Sequence, residues 1–280
     1  MATVAVMNFS DRLADAVEQK RTQLVVGIDP VVSRLPTGVG IDEFCRGIVD
    51  AVAAHAVAVK PQLAFFEALG CDGARLFHEV CVHARESELL VIADAKRGDI
   101  GSTAAAYAEA FIPLADAVTV NPYLGGDSIE PFLEACTREG AGIFCLVKTS
   151  NPGSADLQDQ RLADGRRVWE RVAELVHGWG EGLVGERGLS SVGAVVGATF
   201  PDEVSQARRL LPRSPFLLPG IGAQGGVPAD VASAFASGPA SALVSASRSV
   251  IYASGGADWR AAAAAEAGRL AREVWAVAGA

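Results

Sequence analysis

Short runs of apolar, mostly β-branched residues recur along the chain, and each is followed by a longer stretch in which apolar residues return every three or four positions. The first pattern is typical of buried strands and the second of helices, so their alternation predicts repeated β-α units and a parallel sheet. The predicted strands are Leu24–Ile28, Ala56–Val59, Leu89–Ala93, Ala117–Val120, Gly142–Val147, Val192–Val196, Phe216–Leu218 and Ala242–Ser245. The predicted helices lie near Phe9–Lys20 and over residues 41–54, 63–86, 102–111, 128–138, 165–184, 201–210, 228–236 and 258–277.

The number of these units indicates the architecture. Eight β-α units in about 250 residues fit a closed (β/α)8 TIM barrel of the α/β class better than an open doubly wound sheet. No low-complexity tail or charged linker interrupts the series, so residues 1–280 are predicted to form one domain. The longest irregular stretch, Asn151–Gly165, follows the fifth strand, and a loop of this length is often functional, frequently as a lid.

Composition predicts a water-soluble protein of the cytoplasm. Hydrophobic residues make up 50% of the chain, yet no apolar run approaches the roughly 18 residues expected of a membrane span. The opening stretch Met1–Val17 includes Asp11, Arg12 and Asp15 and lacks the basic start and apolar middle of a secretory signal. The five cysteines are odd in number and scattered, so they are interpreted as reduced core residues.

The charge balance excludes some partners. A net charge of −9 and a pI near 5.0 argue against a general nucleic-acid binder, because a phosphate backbone requires a basic face. One small phosphorylated ligand is compatible with this balance, since a local cluster of donors could hold it. No metal site is predicted, because His78 and His83 are spaced to lie on different sides of a helix.

Charged residues stand just past the ends of the predicted strands, where barrel enzymes place their active sites. The charged residues at these positions are Asp29, Lys60, Asp94, Lys96, Lys148 and Arg248. The strands themselves carry no charge. Asn121 also follows a strand, but Asn before Pro is equally typical of a simple turn.

The segment from Asp94 to Asp99 has the highest concentration of charged residues among these strand ends. Asp94 and Lys96 are two residues apart in extended chain, so both side chains should face the barrel centre. Asp99 precedes a helical stretch, which it could cap, or it could reach into a site. Alone, the segment allows a plain ion pair and a helix cap. Lys60 and Asp29 at the same mouth favour a functional site, because clustered charges are costly to desolvate unless paired.

The seventh strand runs into a glycine-rich loop whose backbone N–H groups can approach an anion. Arg248 follows the eighth strand, and barrel phosphate sites commonly lie after these two strands. Gly220, Gly222 and Gly225 also match a dinucleotide fingerprint, but no acidic residue stands about 20 positions on and the strand is seventh rather than first. That reading is rejected, and a plain turn is the alternative.

One family shows the same segments. Asp94-Ala95-Lys96-Arg97-Gly98-Asp99-Ile100 followed by Thr103 resembles the Asp-x-Lys-x-x-Asp-Ile-x-x-x-Thr signature of orotidine 5'-phosphate decarboxylases. The resemblance continues over most of the chain and is strongest to the longer bacterial branch of that family. The further similar segments are Val26-Gly27-Ile28-Asp29-Pro30, Val59-Lys60-Pro61, Lys148-Thr149-Ser150-Asn151, Leu218-Pro219-Gly220-Ile221-Gly222 and Ser247-Arg248.

The resemblance implies an enzyme that converts orotidine 5'-phosphate to uridine 5'-phosphate, the last step of de novo UMP biosynthesis, without a cofactor. It implies that Lys96 donates the proton to C6 of the pyrimidine and that Asp94 lies against the substrate carboxylate. Lys60 and Asp29 would contact the ribose hydroxyls. Such a reaction leaves a carbanion at C6, so fixed positive charge aimed at that atom is the help it requires.

The other roles also follow from the resemblance. Asp99 and Thr103 would serve the neighbouring subunit's site in a homodimer with shared active sites, and Asp99 would complete a charge array with Lys60, Asp94 and Lys96. The residues implied to contact the pyrimidine and the phosphate are Ser150, Pro219, Gln224 and Arg248. On sequence alone, a turn or helix cap is an equally good reading of Ser150.

Two rival functions stay open. A magnesium-dependent sugar-phosphate enzyme of the same barrel group, such as a 3-hexulose-6-phosphate synthase or a 3-keto-L-gulonate 6-phosphate decarboxylase, shares the Asp-x-Lys-x-x-Asp motif. Those enzymes hold the metal through an acidic residue where this chain has Lys60, a cation that would repel it. A non-catalytic nucleotide-phosphate binder would have no need of the charge array.

Overall fold

The computed structural model describes residues 7–220 and 228–279. Its strands are β1 (Leu24–Ile28), β2 (Ala58–Pro61), β3 (Leu90–Arg97), β4 (Ala117–Val120), β5 (Gly142–Lys148), β6 (Val192–Val196), β7 (Phe216–Pro219) and β8 (Ala242–Ala246). Each strand pairs in parallel with the next, and β8 pairs with β1, which closes the barrel. The predicted (β/α)8 TIM barrel is confirmed.

Helices alternate with these strands. They are α1 (Phe9–Lys20), α2 (Ile41–Val52), α3 (Leu63–Glu67), α4 (Cys71–Glu86), α5 (Gly101–Phe111), α6 (Gly126–Glu139), α7 (Val168–Gly180), α8 (Pro201–Leu210), α9 (Arg248–Ile251) and α10 (Trp259–Ala278). Among the helices of residues 7–220 and 228–279, none combines the length and the hydropathy needed to cross a bilayer.

Three of the predicted helices were wrong in detail. The helix predicted over residues 63–86 is two helices, because Gly70 between α3 and α4 has a φ of 67° and breaks the helical backbone. Within residues 165–184, predicted as one helix, the structure has α7 followed by a short 3-10 helix, Glu181–Leu183. The segment Pro228–Phe235 is a 3-10 helix with a kink at Val231, where an α-helix was predicted.

Two strands also differ from their predicted limits by more than one residue. β2 begins later and includes Lys60, and β3 continues past Ala93 to Arg97. Both extensions run toward the C-terminal end of the barrel. The charged residues predicted to follow these strands therefore belong to the strands themselves, where backbone pairing holds them.

The barrel interior changes from apolar to polar along its axis, because side chains on a strand point inward at every second position. The lower interior positions are apolar and buried: Val25, Ala58, Ile92, Ala117, Phe144, Leu217 and Leu243. Two residues further along the same strands, the interior positions include Lys60, Asp94, Thr119 and Ser245, all of them buried. The alternate positions, such as Val59 and Val118, pack outward against the helices.

Helix α1 closes the N-terminal end of the barrel. Its Phe9, Leu13 and Val17 are buried in the same apolar cluster as the lower interior residues. The ring of Phe9 meets that of Phe144 edge to face, with 5.9 Å between centroids. This apolar floor supports the polar layer above it.

Arg208 on α8 ties together the chain around β7 and the segment that leads to β8. The residue is buried, and its guanidinium lies 3.7 Å from the centroid of the Phe216 ring. Burial lowers the pKa of Arg208 to about 9, so the group stays protonated at neutral pH. It donates hydrogen bonds to the carbonyl oxygens of Ala234 (3.1 Å), Leu211 (2.6 Å), Ser214 (2.9 Å) and Ser241 (2.8 Å).

Replacing Arg208 with Met should lower the free energy of unfolding by about 3 to 5 kcal/mol, because several buried carbonyls lose their donor. The neighbouring Arg209 is exposed and bonds Ser205, so Arg209→Met should change it by less than about 0.5 kcal/mol. Urea denaturation of both variants measures the difference. Equal losses would contradict the structural role given to Arg208.

Candidate active site

A cavity of about 450 Å³ opens at the C-terminal end of the barrel, and its wall includes residues of β2 to β8 and Asp29, which directly follows β1. Its size suits a small ligand. Seven of the ten residues predicted from the sequence line it: Asp29, Lys60, Asp94, Lys96, Ser150, Pro219 and Arg248. Gln224 lies outside the described residues.

Asp94 is the centre of the polar layer and is only 5% exposed. Its Oδ2 accepts hydrogen bonds from the Lys60 ammonium and from Gln62 Nε2, the latter at 2.9 Å. Its Oδ1 accepts from Lys96 Nζ at 2.5 Å and from Thr119 Oγ1 at 3.0 Å. Four donors therefore converge on one carboxylate. Lys60, Lys96 and Thr119 lie on β2, β3 and β4, and Gln62 directly follows β2.

The charges around Asp94 control its ionisation. Burial alone raises the pKa of this carboxyl, but the ammonium groups of Lys60 and Lys96 act more strongly together and lower the pKa to about 2. Asp94 is thus ionised at neutral pH, and the side chain of Lys60, 9% exposed, is buried against it. Lys96 differs, since 43% of its side chain is exposed at the cavity.

The backbone at Lys96 is strained. Lys96 has a φ of 47°, in the left-handed region that costs a residue with a side chain on the order of 1 to 3 kcal/mol. The pairing of β3 with β4 shifts register between Ala93 and Arg97, which marks a bulge at this point. The Lys96 N–H donates to Thr119 Oγ1 at 2.9 Å. The bulge brings Lys96 onto the same carboxylate as Lys60.

Asp29 extends the polar wall from the end of β1. Its Oδ2 accepts from Ser247 Oγ at 2.5 Å, and its backbone carbonyl accepts from the Tyr252 hydroxyl at 3.1 Å. Its Oδ1 is buried and has no hydrogen-bond partner among residues 7–220 and 228–279. A Cβ on Gly27 would lie 2.8 Å from Ser247 Cβ, so glycine there permits the close approach of β1 and β8. The side chain of Asp29 is therefore fixed at the cavity wall.

The loop after β5 is anchored beneath the cavity wall. The buried Lys148 Nζ donates to both carboxylate oxygens of Asp159 at 2.7 and 2.8 Å, and the amide of Gln158 exchanges hydrogen bonds with Thr149. Ser150 lines the cavity at the start of this loop. The ion pair between Lys148 and Asp159 therefore fixes the middle of Asn151–Gly165, the stretch predicted from the sequence to be a loop.

Asp99 and Thr103 do not line the cavity of their own chain. Asp99 Oδ1 accepts from the backbone N–H of Ile100 at 2.8 Å, and Thr103 is exposed on the first turn of α5. Asn121 also stays outside the cavity, and its side chain accepts from the Tyr123 N–H at 3.1 Å, as the turn interpretation predicted.

A larger cavity, about 630 Å³, lies at the opposite end of the barrel, beside α1 and α10. Its charged residues include Arg187, which forms ion pairs with Glu18 and Asp15. It brings together no set of lysines and carboxylates comparable with the one around Asp94. The chemistry therefore points to the C-terminal cavity.

Comparison with known proteins agrees with this geometry. The family model described as "Orotidine 5'-phosphate decarboxylase / HUMPS family" matches residues 22–265. The chain belongs to this family. The resemblance inferred from the Asp94 segment is confirmed, and family membership covers the whole barrel from β1 to the start of α10.

Individual members of the orotidine 5'-phosphate decarboxylase / HUMPS family are similar over most of their length. An orotidine 5'-phosphate decarboxylase of Rhodopirellula baltica is 43% identical over 270 residues, covering 88% of this chain and 89% of the relative. One from Deinococcus radiodurans is 46% identical over 250 residues, covering 88% and 90%. The solved structure of Leishmania donovani OMP decarboxylase superposes with a TM-score of 0.82 at 36% identity, covering 98% of this chain and 100% of that chain.

Gln62 and Thr119 are site residues that the sequence analysis missed. Both lie in register with predicted ones, since Gln62 stands two positions after Lys60 and Thr119 two after the interior Ala117. Extending the two-residue period of each strand toward its C-terminal end would have found them. They were missed because the prediction relied on charged residues, and the side chains of Gln62 and Thr119 are neutral.

The carboxyl of Asp94 should not titrate above about pH 4, the ordinary value for Asp, because its pKa is lowered to about 2. A lowered pKa means that Asp94 contributes stability above pH 4 and loses the contribution as the pH falls toward 2. Carbon-13 NMR of the labelled carboxyl measures the midpoint. In Lys60→Met the midpoint should rise, since burial is then opposed by one ammonium group. A midpoint above 4 in the wild type would contradict the ion-pair arrangement.

Proposed function

We propose that the protein decarboxylates orotidine 5'-phosphate to uridine 5'-phosphate at the cavity around Asp94. The observation that carries the proposal is the buried carboxylate held between two lysines, Lys60 and Lys96, at the C-terminal mouth of the barrel. The names of the family relatives support the same reaction. Five free cysteine thiols support a cytoplasmic location.

The proposed chemistry uses the exposed lysine. With the substrate carboxylate beside Asp94, the negative charge that develops at C6 lies next to the Lys96 ammonium, which stabilises it and then donates a proton to C6. Carbon dioxide leaves with the carboxylate oxygens, and the electron pair of the broken bond forms the new C–H bond. Repulsion between Asp94 and the substrate carboxylate acts on the ground state and is relieved as carbon dioxide departs.

The remaining cavity residues suit the other parts of the nucleotide. The carboxylate of Asp29 and the ammonium of Lys60 line the cavity, where each can form a hydrogen bond with a ribose hydroxyl. Arg248 lies exposed at the mouth after β8, where its guanidinium can bind the phosphate oxygens. Ser150 and Pro219 line the wall proposed to contact the pyrimidine, and Gln224 is proposed to reach both the base and the phosphate.

Lys60 argues against the magnesium-dependent sugar-phosphate reaction. Its ammonium contacts Asp94 and lies on the cavity wall, so a divalent cation bound to that carboxylate would meet a fixed positive charge. Turnover of orotidine 5'-phosphate should therefore survive EDTA. Loss of activity on chelation, restored by magnesium, would favour the sugar-phosphate reaction.

Lys96→Ala should lower kcat for orotidine 5'-phosphate by at least about 100-fold, because the general acid is removed. Uridine 5'-phosphate should still bind, as measured by calorimetry, because the phosphate and ribose contacts are unchanged. Lys20→Ala is the matched control, since Lys20 bonds backbone carbonyls at the opposite end of the barrel, and its kcat should stay within about twofold. A wild-type protein that binds uridine 5'-phosphate but releases no carbon dioxide would be a nucleotide binder.

We further propose a homodimer in which Asp99 and Thr103 complete the partner's site. Both lie outside their own cavity, and a group of exposed apolar side chains stands on the segments that follow the paired strands β3 and β4. The members of this group are Ile100 (57% exposed), Tyr123 (74%) and Leu124 (48%). Exposed apolar residues clustered beside polar ones mark protein interfaces.

Mixing two inactive variants tests the shared site. In a mixed dimer of Lys96→Ala and Asp99→Ala chains, one site keeps its own Lys96 and receives Asp99 from the partner. Random exchange should thus restore about one quarter of wild-type activity, since half of the dimers are mixed and each has one intact site. A mixture of Lys96→Ala and Asp94→Ala is the control and should stay inactive. Failure of the first mixture to recover, with exchange verified by mass, would contradict the shared site.

A further inference from the structure

Two neutral side chains, Thr119 and Gln62, have no part in the reaction steps above, yet each donates a hydrogen bond to Asp94. We propose that Thr119 and Gln62 are positioning residues that hold the Asp94 carboxylate while Lys96 and Lys60 serve the substrate. This inference rests on the proposed decarboxylation, because in that reaction Lys96 and Lys60 interact with the substrate as well as with Asp94.

The donors are distributed evenly over the carboxylate. Oδ1 has the Lys96 ammonium at 2.5 Å and the Thr119 hydroxyl at 3.0 Å. Oδ2 has the Lys60 ammonium and the Gln62 amide, the latter at 2.9 Å. Each oxygen therefore keeps one neutral donor when its ammonium partner turns away.

Turnover removes one of these partners in a definite way. As the C6–H bond forms, one N–H bond of Lys96 breaks, and the ammonium becomes a neutral amine. Oδ1 of Asp94 then loses its cationic neighbour while the carboxylate stays buried, which is costly for an unsatisfied charge. The Thr119 hydroxyl takes no part in the proton transfer and still donates to Oδ1.

The Thr119 hydroxyl also fixes the backbone that carries Lys96. It accepts the Lys96 N–H at 2.9 Å, where the backbone has a φ of 47°. An ionised carboxylate can only accept, so the hydroxyl proton must point to Asp94 and its lone pair to Lys96. Thr119 is only 1% exposed, so its hydroxyl is largely shielded from water. One side chain thus sets the distance between the carboxylate and the proton donor.

Gln62 is held beside Asp94 by its own backbone. Its N–H donates to the Ile28 carbonyl at 3.1 Å, and it forms an isolated parallel bridge with Asp94. These contacts continue the pairing of β2 with β1 and β3 beyond Pro61. The Gln62 amide therefore reaches Oδ2 from an ordered strand end.

Thr119→Val keeps the shape of the side chain and removes the hydroxyl. We expect kcat for orotidine 5'-phosphate to fall about 10- to 100-fold, with KM changed less than about threefold, because the lost bonds act at the reacting end of the substrate. Thr119→Ser restores the hydroxyl and should stay within about threefold of wild type. Thr22→Val is the matched control: Thr22 is equally buried, accepts the Leu24 N–H at 3.1 Å and lies at the other end of the barrel. Its kcat should be unchanged.

Gln62→Met tests the second oxygen in the same assay and should also lower kcat more than it raises KM. Thermal unfolding accompanies each variant, so that a loss of fold is recognised, and Thr119→Ser provides a variant that retains the hydroxyl if Thr119→Val does not fold. Wild-type kcat in Thr119→Val and Gln62→Met would overturn the inference, as would a Thr119→Ser variant as slow as Thr119→Val.

A second measurement separates this inference from the proposed function. The carbon-13 titration of Asp94 in the ligand-free protein should give a higher pKa in Thr119→Val and Gln62→Met than in wild type, because a donor to the charged form is lost. An unchanged pKa in both variants overturns the positioning role whatever the reaction. Absence of wild-type turnover, with the pKa shifts present, overturns the decarboxylation and leaves the hold on Asp94 supported.

Discussion

A buried carboxylate must have donors for its charge, and at Asp94 this requirement organises the whole mouth of the barrel. Lys60 and Lys96 supply the charge that keeps the carboxyl ionised, and Gln62 and Thr119 supply neutral hydrogen bonds to the same oxygens. Removing any one of them leaves the others around a group that burial disfavours. The parts of the site thus depend on one another. Thr119 bonds the strained backbone at Lys96 and also bonds the carboxylate of Asp94.

The barrel makes such an arrangement possible. Alternate residues of every strand face inward, so a change from apolar to polar residues two positions along β2, β3, β4 and β8 places a polar layer on a packed floor. Phe9 and Phe144 belong to that floor, and Lys60, Asp94 and Thr119 belong to the layer above it. Anchors away from the reaction keep the outer walls in place, as Arg208 does for the segment before β8 and the Lys148–Asp159 pair does for the loop after β5.

Much of this organisation could be predicted from the sequence, because the strands and helices follow from hydrophobic period and the charged residues stand at strand ends. The barrel and the meeting of Lys60, Asp94 and Lys96 were predicted correctly. The break at Gly70 was missed, since the apolar period runs across it and one backbone angle ends the helix. Thr119 was missed because a threonine in a strand is ordinary, and its role depends on a partner that only the closed barrel brings near.

The crystal structure of the protein with uridine 5'-phosphate is the most direct test of the account. It should show C6 of the pyrimidine beside Lys96 Nζ, the phosphate on Arg248, and Asp94 still bonded to Thr119 and Gln62. A nucleotide bound with its base away from Lys96, or bound in the cavity at the N-terminal end of the barrel, would contradict the assignment of this site.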